Sequence, residues 1–450
     1  MSELPDYVRD TIAAAATPSG KGSIGIVRIS GDDAALIATR MLGHLPEPRV
    51  ATHARFLDKS GEPIDTGIAL WFPGPDSFTG ESVLELQGHG GPIVIEIILQ
   101  TILALGARCA EPGEFSRRAF LNGKLDLAQV EAIVDLIDSG TRQAARAACR
   151  SLTGHFSGAV ETLSENLIRL RLHVEAAIDF PEEDIDFLSD GALKKRIDLC
   201  AEAFDELLEK AGTGRLLRDG FQLVIVGKPN VGKSSLLNLL SGQDAAIVTE
   251  YAGTTRDILR ERIDIDGLAV ELVDTAGIRE VPDAIEAEGI RRARQALDNA
   301  DAVLWIQDIT EIDKSLPDGT DLPDVPLVVV RNKIDLTDDA HGPVGDHPLT
   351  LNMSAHTGAG LEALTTAIKT LAGYMDHGEG AFTARQRHID ALQTAANHFA
   401  RGRRKLDNNQ AGELLAEELR LAQDSLARIC GAFSSDDLLG RIFSDFCIGK

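Results

Sequence analysis

The sequence predicts a chain of mixed class: an α+β N-terminal domain, an all-α domain, and an inserted α/β domain with a doubly wound, mostly parallel sheet. Two observations carry this reading. Before position 120 the apolar residues come in short β-rich runs cut by glycine and proline, whereas Val130, Ile133, Val134 and Ile137 repeat at helical spacing. Between 216 and 374, apolar strands alternate with amphipathic helices, the pattern of successive βαβ units. The expected division is therefore 1–120 (N-terminal domain), 121–215 (first helical half), 216–374 (inserted domain) and 375–450 (second helical half).

Element by element, strands are expected at 23–29, 67–72 and 83–86, then helices to about 211, with Leu163, Leu167, Leu170 and Val174 on one face. The inserted domain reads as strands at 221–226, 269–273, 302–306 and 327–330, with helices at 232–240, 284–296 and 361–371. A second helical block spans about 384–446 and includes the amphipathic stretch 413–429. It has no strands of its own, so the two helical blocks are expected to pack on each other.

The length of 450 residues is about three times that of a usual single domain, enough for several independent cores. Aromatic residues are only 4%, so those cores rest on Leu, Ile, Val and Ala. Seventy acidic against 45 basic side chains leave a charge of -25, which repels polyanions at long range and argues against non-specific nucleic-acid binding. Any RNA contact must come from a local patch, and the dense basic runs are 401–405 (Arg-Gly-Arg-Arg-Lys) and 194–196 (Lys-Lys-Arg). A solvated helix face is the competing reading of both.

The five cysteines show no CxxC spacing, so neither a disulfide framework nor a zinc site is expected, and a reducing cytoplasm fits. The most apolar segment, 93–105, is short and interrupted by Glu96, and the first residues lack a basic-then-apolar leader, so no membrane span and no signal peptide are expected. Cys447 stands where a prenylated cysteine would, but Gly449 and Lys450 do not fit that motif.

The inserted domain carries the chemistry. Residues 227–234 read GKPNVGKS after an apolar strand and at the start of a helix, the context a phosphate-cradling loop requires. Its glycines let backbone N–H groups curl around phosphates, Lys233 supplies a cation, and Ser234 offers a hydroxyl to Mg²⁺. Asn230, Val231, Gly232 and Ser235 complete the loop. Asp274, Thr275, Ala276 and Gly277 follow the strand 270–273, so Asp274 can reach the metal and the Gly277 amide can face a γ phosphate. Thr255 is the second candidate hydroxyl for Mg²⁺.

After the strand 328–331 come Asn332, Lys333, Ile334 and Asp335. The Asp335 carboxylate can accept two hydrogen bonds from the N1–H and N2 amino groups of guanine, a donor pair adenine lacks. Ser354, Ala355 and His356 form the loop that contacts the guanine carbonyl through backbone N–H. Four elements in this order predict GTP binding.

Where many GTPases place a glutamine to orient water, this chain has Ile278, which cannot do so. Glu280, Asp283, Glu286 and Glu288 follow, each a candidate carboxylate or simply solvated charge.

Together with 253–257 (GTTRD), 274–279 (DTAGIR) and the terminal FCIGK, the loop 227–235 resembles the MnmE (TrmE) family of tRNA-modification GTPases. The resemblance runs on through 84–91 (LELQGHGG), 111–115 (EPGEF) and 121–127 (LNGKLDL), and so covers essentially the whole chain. It implies an N-terminal folate-binding domain that dimerises, a helical domain from both halves of the chain, and an inserted G domain. It also implies a flavoprotein partner of the MnmG (GidA) kind in a heterotetramer, acting on C5 of the wobble uridine in tRNA.

By match to the family's motifs, Glu286 orients water, while Asn230 and a loop with Thr249, Tyr251 and Thr254 hold K⁺ against the phosphates. Thr249 and Thr254 also count among the GTP contacts. Arg28, Glu85, Lys124 and Lys450 match positions that hold a 5-formyltetrahydrofolate-type cofactor, and Cys447 is the thiol of the terminal motif. Read without the family, those four charges are ordinary surface or capping groups and the cysteine is inert.

Two other readings compete. An Era-like switch GTPase of ribosome assembly would carry a KH-type RNA module, yet no GXXG loop in such a context occurs in the helical blocks. A one-carbon transferase with a regulatory G domain would need two N-terminal domains to complete a folate site.

Overall fold

The computed structural model describes residues 10–179, 191–242, 260–274, 298, 300–311, 325–345, 347–374, 380–409, 412–431, 442, 446 and 449. The chain divides into two compact units, Met1–Val134 with Gln423–Lys450, and Asp135–Ala422.

The first unit is built on strands β1 (Ile12–Ala15), β2 (Gly25–Ser30), β3 (Thr52–Leu57), β4 (Pro63–Phe72), β5 (Val83–Gly88) and β6 (Arg108–Cys109), ordered β3-β4-β5-β2-β1-β6. Period-two alternation puts Val27, Ile29, Leu84 and Leu86 on one face, where α1 (Ala34–Leu42) and α2 (Pro92–Leu103) cover them with Ile37, Met41, Ile98 and Ile102. The apolar segment at 93–105 is thus helix α2, with Pro92 in its first turn, where a missing N–H costs nothing. The opposite face of β1 buries Ile12 and Ala14 against Ala110 and Phe115, which opens α3 (Glu114–Leu121). Near the C-terminus, Ile442 and Phe446 join Phe120, Leu127 and Val130 in a small core, the last two from α4 (Leu127–Ile137).

The second unit combines helices with a seven-stranded sheet ordered β12-β13-β11-β10-β7-β9-β8. Its strands are β7 (Phe221–Gly227), β8 (Arg260–Ile265), β9 (Leu268–Asp274), β10 (Ala302–Asp308), β11 (Leu327–Asn332), β12 (Gly342–Val344) and β13 (His347–Asn352). All neighbours run parallel except the edge pairs β8–β9 and β12–β13. These edges were not legible as βαβ units: β8 carries Arg260, Glu261, Arg262 and Asp264, too polar to read as a buried strand. Helices α8 (Lys233–Ser241) and α9 (Leu361–Leu371) bring Leu236, Leu240, Leu364 and Ile368 into the same core as Leu223, Ile225, Leu304 and Val330. The helix expected at 284–296 lies outside the described residues.

The helices are α5 (Arg142–Leu152), α6 (His155–Asp179), α7 (Gly191–Asp219), α10 (Gln386–Asn409) and α11 (Gly412–Cys430). The first helical block therefore ends later than expected. Gly212 and Gly214 do not end α7, and Gly214 instead lets Phe382 O approach to 2.2 Å from a notional Cβ; the helix runs to Asp219, where left-handed Gly220 (φ 78°) stops it, past the position where the inserted domain was expected to begin. The two helical blocks do pack on each other: α7 and α10 lie antiparallel, with Phe204 against Phe399 (5.4 Å between centroids) and Arg403 bonded to Asp198 (2.7 Å).

Candidate functional site

The parallel strands of the second unit end together. Register pairs Ile225 with Asp274, Ile306 with Gly227, and Asp308 with Asn332, so the phosphate-loop glycine, Asp274, Asp308 and Asn332 emerge along the carboxyl edge of the sheet. In open α/β sheets that edge is where ligands bind.

β7 leads into the loop 227–232, whose backbone turns through Asn230 (φ 64°) and Gly232 (φ 98°). A Cβ at Gly232 would lie 2.2 Å from Asn332 Nδ2, so only glycine lets the two segments meet. Buried Lys233 opens α8 and donates from Nζ to the carbonyls of Gly227 (2.9 Å) and Lys228 (2.8 Å), which holds its cation inside the loop. Ser234 and Ser235 are exposed beside it.

Asn332 is buried and doubly bonded: Nδ2 donates to Val231 O and Oδ1 accepts from Ala355 N, both at 2.8 Å. Ser354 Oγ donates to Asp335 Oδ1, which fixes the carboxylate that the guanine reading requires. His356 is exposed on the following turn. Lys333 (φ 70°) extends to Asp308, with Nζ 2.6 Å from Oδ2. Burial works to raise the Asp308 carboxyl, but its bonds from Lys333 and Thr310 outweigh burial and hold it below the usual range. A cavity of about 700 Å³ opens here, lined by Lys228, Asn230, Trp305, Asp308, Glu311 and Lys333.

The structure thus brings Asn230, Val231, Gly232, Lys233, Asn332, Asp335, Ser354 and Ala355 into one region. Asp308 was missed by the sequence reading; its signal was an acidic residue closing an apolar strand just before Thr310. Thr249, Tyr251, Thr254, Thr255, Thr275, Ala276, Gly277 and Glu286 lie outside the described residues, as do Cys447 and Lys450.

The first unit holds a second candidate site. Arg28 and Glu85 sit opposite each other on β2 and β5 and form an ion pair at 2.9 Å. The Arg28 guanidinium also lies 5.5 Å from the Phe78 ring centroid and 5.7 Å from that of Phe115, within cation–π range. Lys124 packs near Gly80, where an added Cβ would meet its Cγ at 3.4 Å. That loop returns to the strand of Arg28, because Thr79 and Glu81 both bond the Ser30 hydroxyl. Gly449 lies against Ala15 O, 2.2 Å from a notional Cβ, at the end of β1.

Beside it, sequence reading missed a buried charge network. Arg118 is 1% exposed and bonds Asp10, Glu81 and Glu114, while Arg108 bonds Asp10 and Glu114 from outside. Burial works to raise the Glu114 carboxyl, but Arg108, the Glu111 amide and Arg118 together lower it.

Residues 127–447 match the MnmE helical domain, and residues 11–124 match the GTP-binding protein TrmE N-terminus. The chain is 53% identical over 451 residues to the tRNA modification GTPase MnmE of Yersinia pseudotuberculosis, covering 98% of this chain and 99% of that relative. A tRNA modification GTPase MnmE of Erwinia tasmaniensis matches at the same 53% identity, 98% and 99% coverage.

Proposed function

Because the chain belongs to the MnmE family of tRNA modification GTPases, we propose that it binds and hydrolyses GTP in the domain at 216–374 and uses that cycle to modify the wobble uridine of tRNA. The observation that carries this reading is Asn332, which bonds the phosphate loop at Val231 and the base loop at Ala355 simultaneously. A site held this way binds a phosphate-bearing guanine nucleotide with little reorganisation.

Lys233 would exchange its two carbonyl partners for phosphate oxygens, and Asp335 would accept from the guanine edge. Exposed Ser234, together with Thr255, fits Mg²⁺, an oxygen-seeking ion that neutralises phosphate charge when bound. The oxygen side chain of Asn230, with Thr249, Tyr251 and Thr254, fits K⁺ in the same hard-cation sense. Glu286 is the residue proposed to orient the attacking water.

In the N-terminal domain, Arg28, Glu85 and Lys124, with Lys450, are proposed to hold a 5-formyltetrahydrofolate-type cofactor. Cationic groups suit its glutamate tail and a carboxylate suits the pterin N–H donors. The ion pair between Arg28 and Glu85 supports this, because each holds the other's side chain in place until a ligand replaces it. The proposal extends to a cytoplasmic homodimer acting with an MnmG-like flavoprotein, the product being a carboxymethylaminomethyl or aminomethyl group on uridine C5.

Steady-state turnover tests the reading. GTP should be hydrolysed and ATP not, activity in KCl should far exceed that in NaCl at equal ionic strength, and Asn230→Ala should abolish that difference. Glu286→Ala should keep nucleotide binding and lose turnover. Equal rates with GTP and ATP would overturn the nucleotide assignment; equal rates in the two salts would remove the cation from it.

A further inference from the structure

The two basic runs singled out in the sequence are about two hundred residues apart, yet the fold brings them together. Because α7 and α10 are antiparallel, the first turns of α7 (Lys194, Lys195, Arg196) lie at the same end of the helix pair as the last turns of α10 (Arg401, Arg403, Arg404, Lys405). Arg403 Nη2 on Asp198 Oδ1 (2.7 Å) clamps that end. We infer that this end of the α7–α10 pair is a phosphate-contacting surface for tRNA, an inference that rests on the tRNA reading above and gives it a place on the chain.

Charge placement carries the inference. Lys194, Lys195, Arg196, Arg401 and Arg404 are all exposed. Two of the nearby carboxylates are already engaged: Asp198 holds Arg403, and Glu418 takes His398 (2.7 Å), Lys405 (2.8 Å) and Arg401 (3.6 Å) together. Among the described residues Lys194, Lys195, Arg196 and Arg404 have no ion-pair partner, four cations against two exposed acids, Asp407 near the end of α10 and Glu413 in the first turn of α11. On a chain of net charge -25, a solvated helix face needs no such convergence from both helical blocks. A polyanion does, since only local positive charge offsets the long-range repulsion. Neighbouring helix axes lie about 8–10 Å apart, so the cations spread over a face wide enough to follow a phosphate backbone rather than one small anion.

The test is equilibrium binding of an unmodified tRNA transcript carrying a wobble uridine to the full-length protein, titrated with KCl. The variants are Lys194→Ala/Lys195→Ala/Arg196→Ala and, separately, Arg404→Ala. Circular dichroism and thermal melting check that they fold. A charge control, Arg142→Ala/Arg146→Ala, sits on α5, whose Ala147 packs with Leu216 and Leu217 near the far end of α7, roughly 30 Å from Lys195 at 1.5 Å per residue.

The triple variant should weaken binding about tenfold or more at moderate salt and flatten the log Kd against log salt slope by about two to three, with the control unchanged. Variants that bind and titrate like wild type would overturn the inference. A wild-type protein that fails to bind the transcript at any salt would instead remove the tRNA reading itself.

Discussion

Asn332 and Val231, 101 residues apart in sequence, are joined by a 2.8 Å hydrogen bond from Nδ2 to the backbone carbonyl, and the same side chain accepts from Ala355 N. Replacing Asn332 by alanine leaves a buried N–H and a buried carbonyl unpaired, at a cost of about 1–3 kcal/mol for each unsatisfied group. Thermal denaturation should show a lower midpoint, and GTP should restore less of it than in wild type. An unchanged midpoint would mean the tie is incidental.

Base selectivity follows from the carboxylate that Ser354 bonds. Asp335→Asn should weaken GTP and favour XTP, because the C2 carbonyl of xanthine accepts from the new amide where the guanine amino group cannot. Competition binding with the two nucleotides measures it. A variant that still prefers GTP would take the base contact away from Asp335.

Calorimetry with 5-formyltetrahydrofolate addresses the N-terminal unit. Wild type should bind, and Arg28→Ala or Glu85→Ala should each lose most of the affinity, since removing one partner also leaves the other half-buried charge unpaired. Unchanged binding in both variants would free these residues of a folate role.

Acid should weaken the first unit through the carboxylates that Arg108 and Arg118 hold. Asp10 and Glu114 have carboxyls held below their ordinary values of 3.8 and 4.5, so each stabilises the fold fully above those values and loses that contribution as pH falls through the lowered folded-state value. Unfolding followed between neutral pH and about pH 3 should therefore show stability falling below roughly pH 4.5. Arg118→Met should lower stability at neutral pH by about 3–5 kcal/mol, leaving carboxylates without their buried partner, and should flatten the acid dependence. A variant with the wild-type pH profile would assign the acid response elsewhere.

What the sequence made legible was local. The loop 227–234, the 332–335 motif and the apolar strands 221–226 and 327–330 are contiguous, so residue type and spacing carry both the conformation and its chemistry. The structure lengthens each strand by a residue or two at its carboxyl end, which is where Asp308 and Asn332 stand. What was not legible was pairing across the chain. Arg28 and Glu85 read as two separate contacts to a ligand and prove to hold each other; Arg118 drew no reading from the sequence and is the largest fully buried side chain among the described residues. Such pairings depend on strand order and helix docking, which short-range spacing does not encode.

The claim that a GTP cycle in this chain drives wobble-uridine modification is tested most directly by nucleoside analysis of tRNA from cells lacking the protein, complemented with wild type or with Lys233→Ala. Wild type should restore the carboxymethylaminomethyl or aminomethyl uridine, and Lys233→Ala, which removes the cation that the phosphate loop holds, should leave unmodified uridine. Full modification in the deleted cells, or full rescue by Lys233→Ala, would contradict the account.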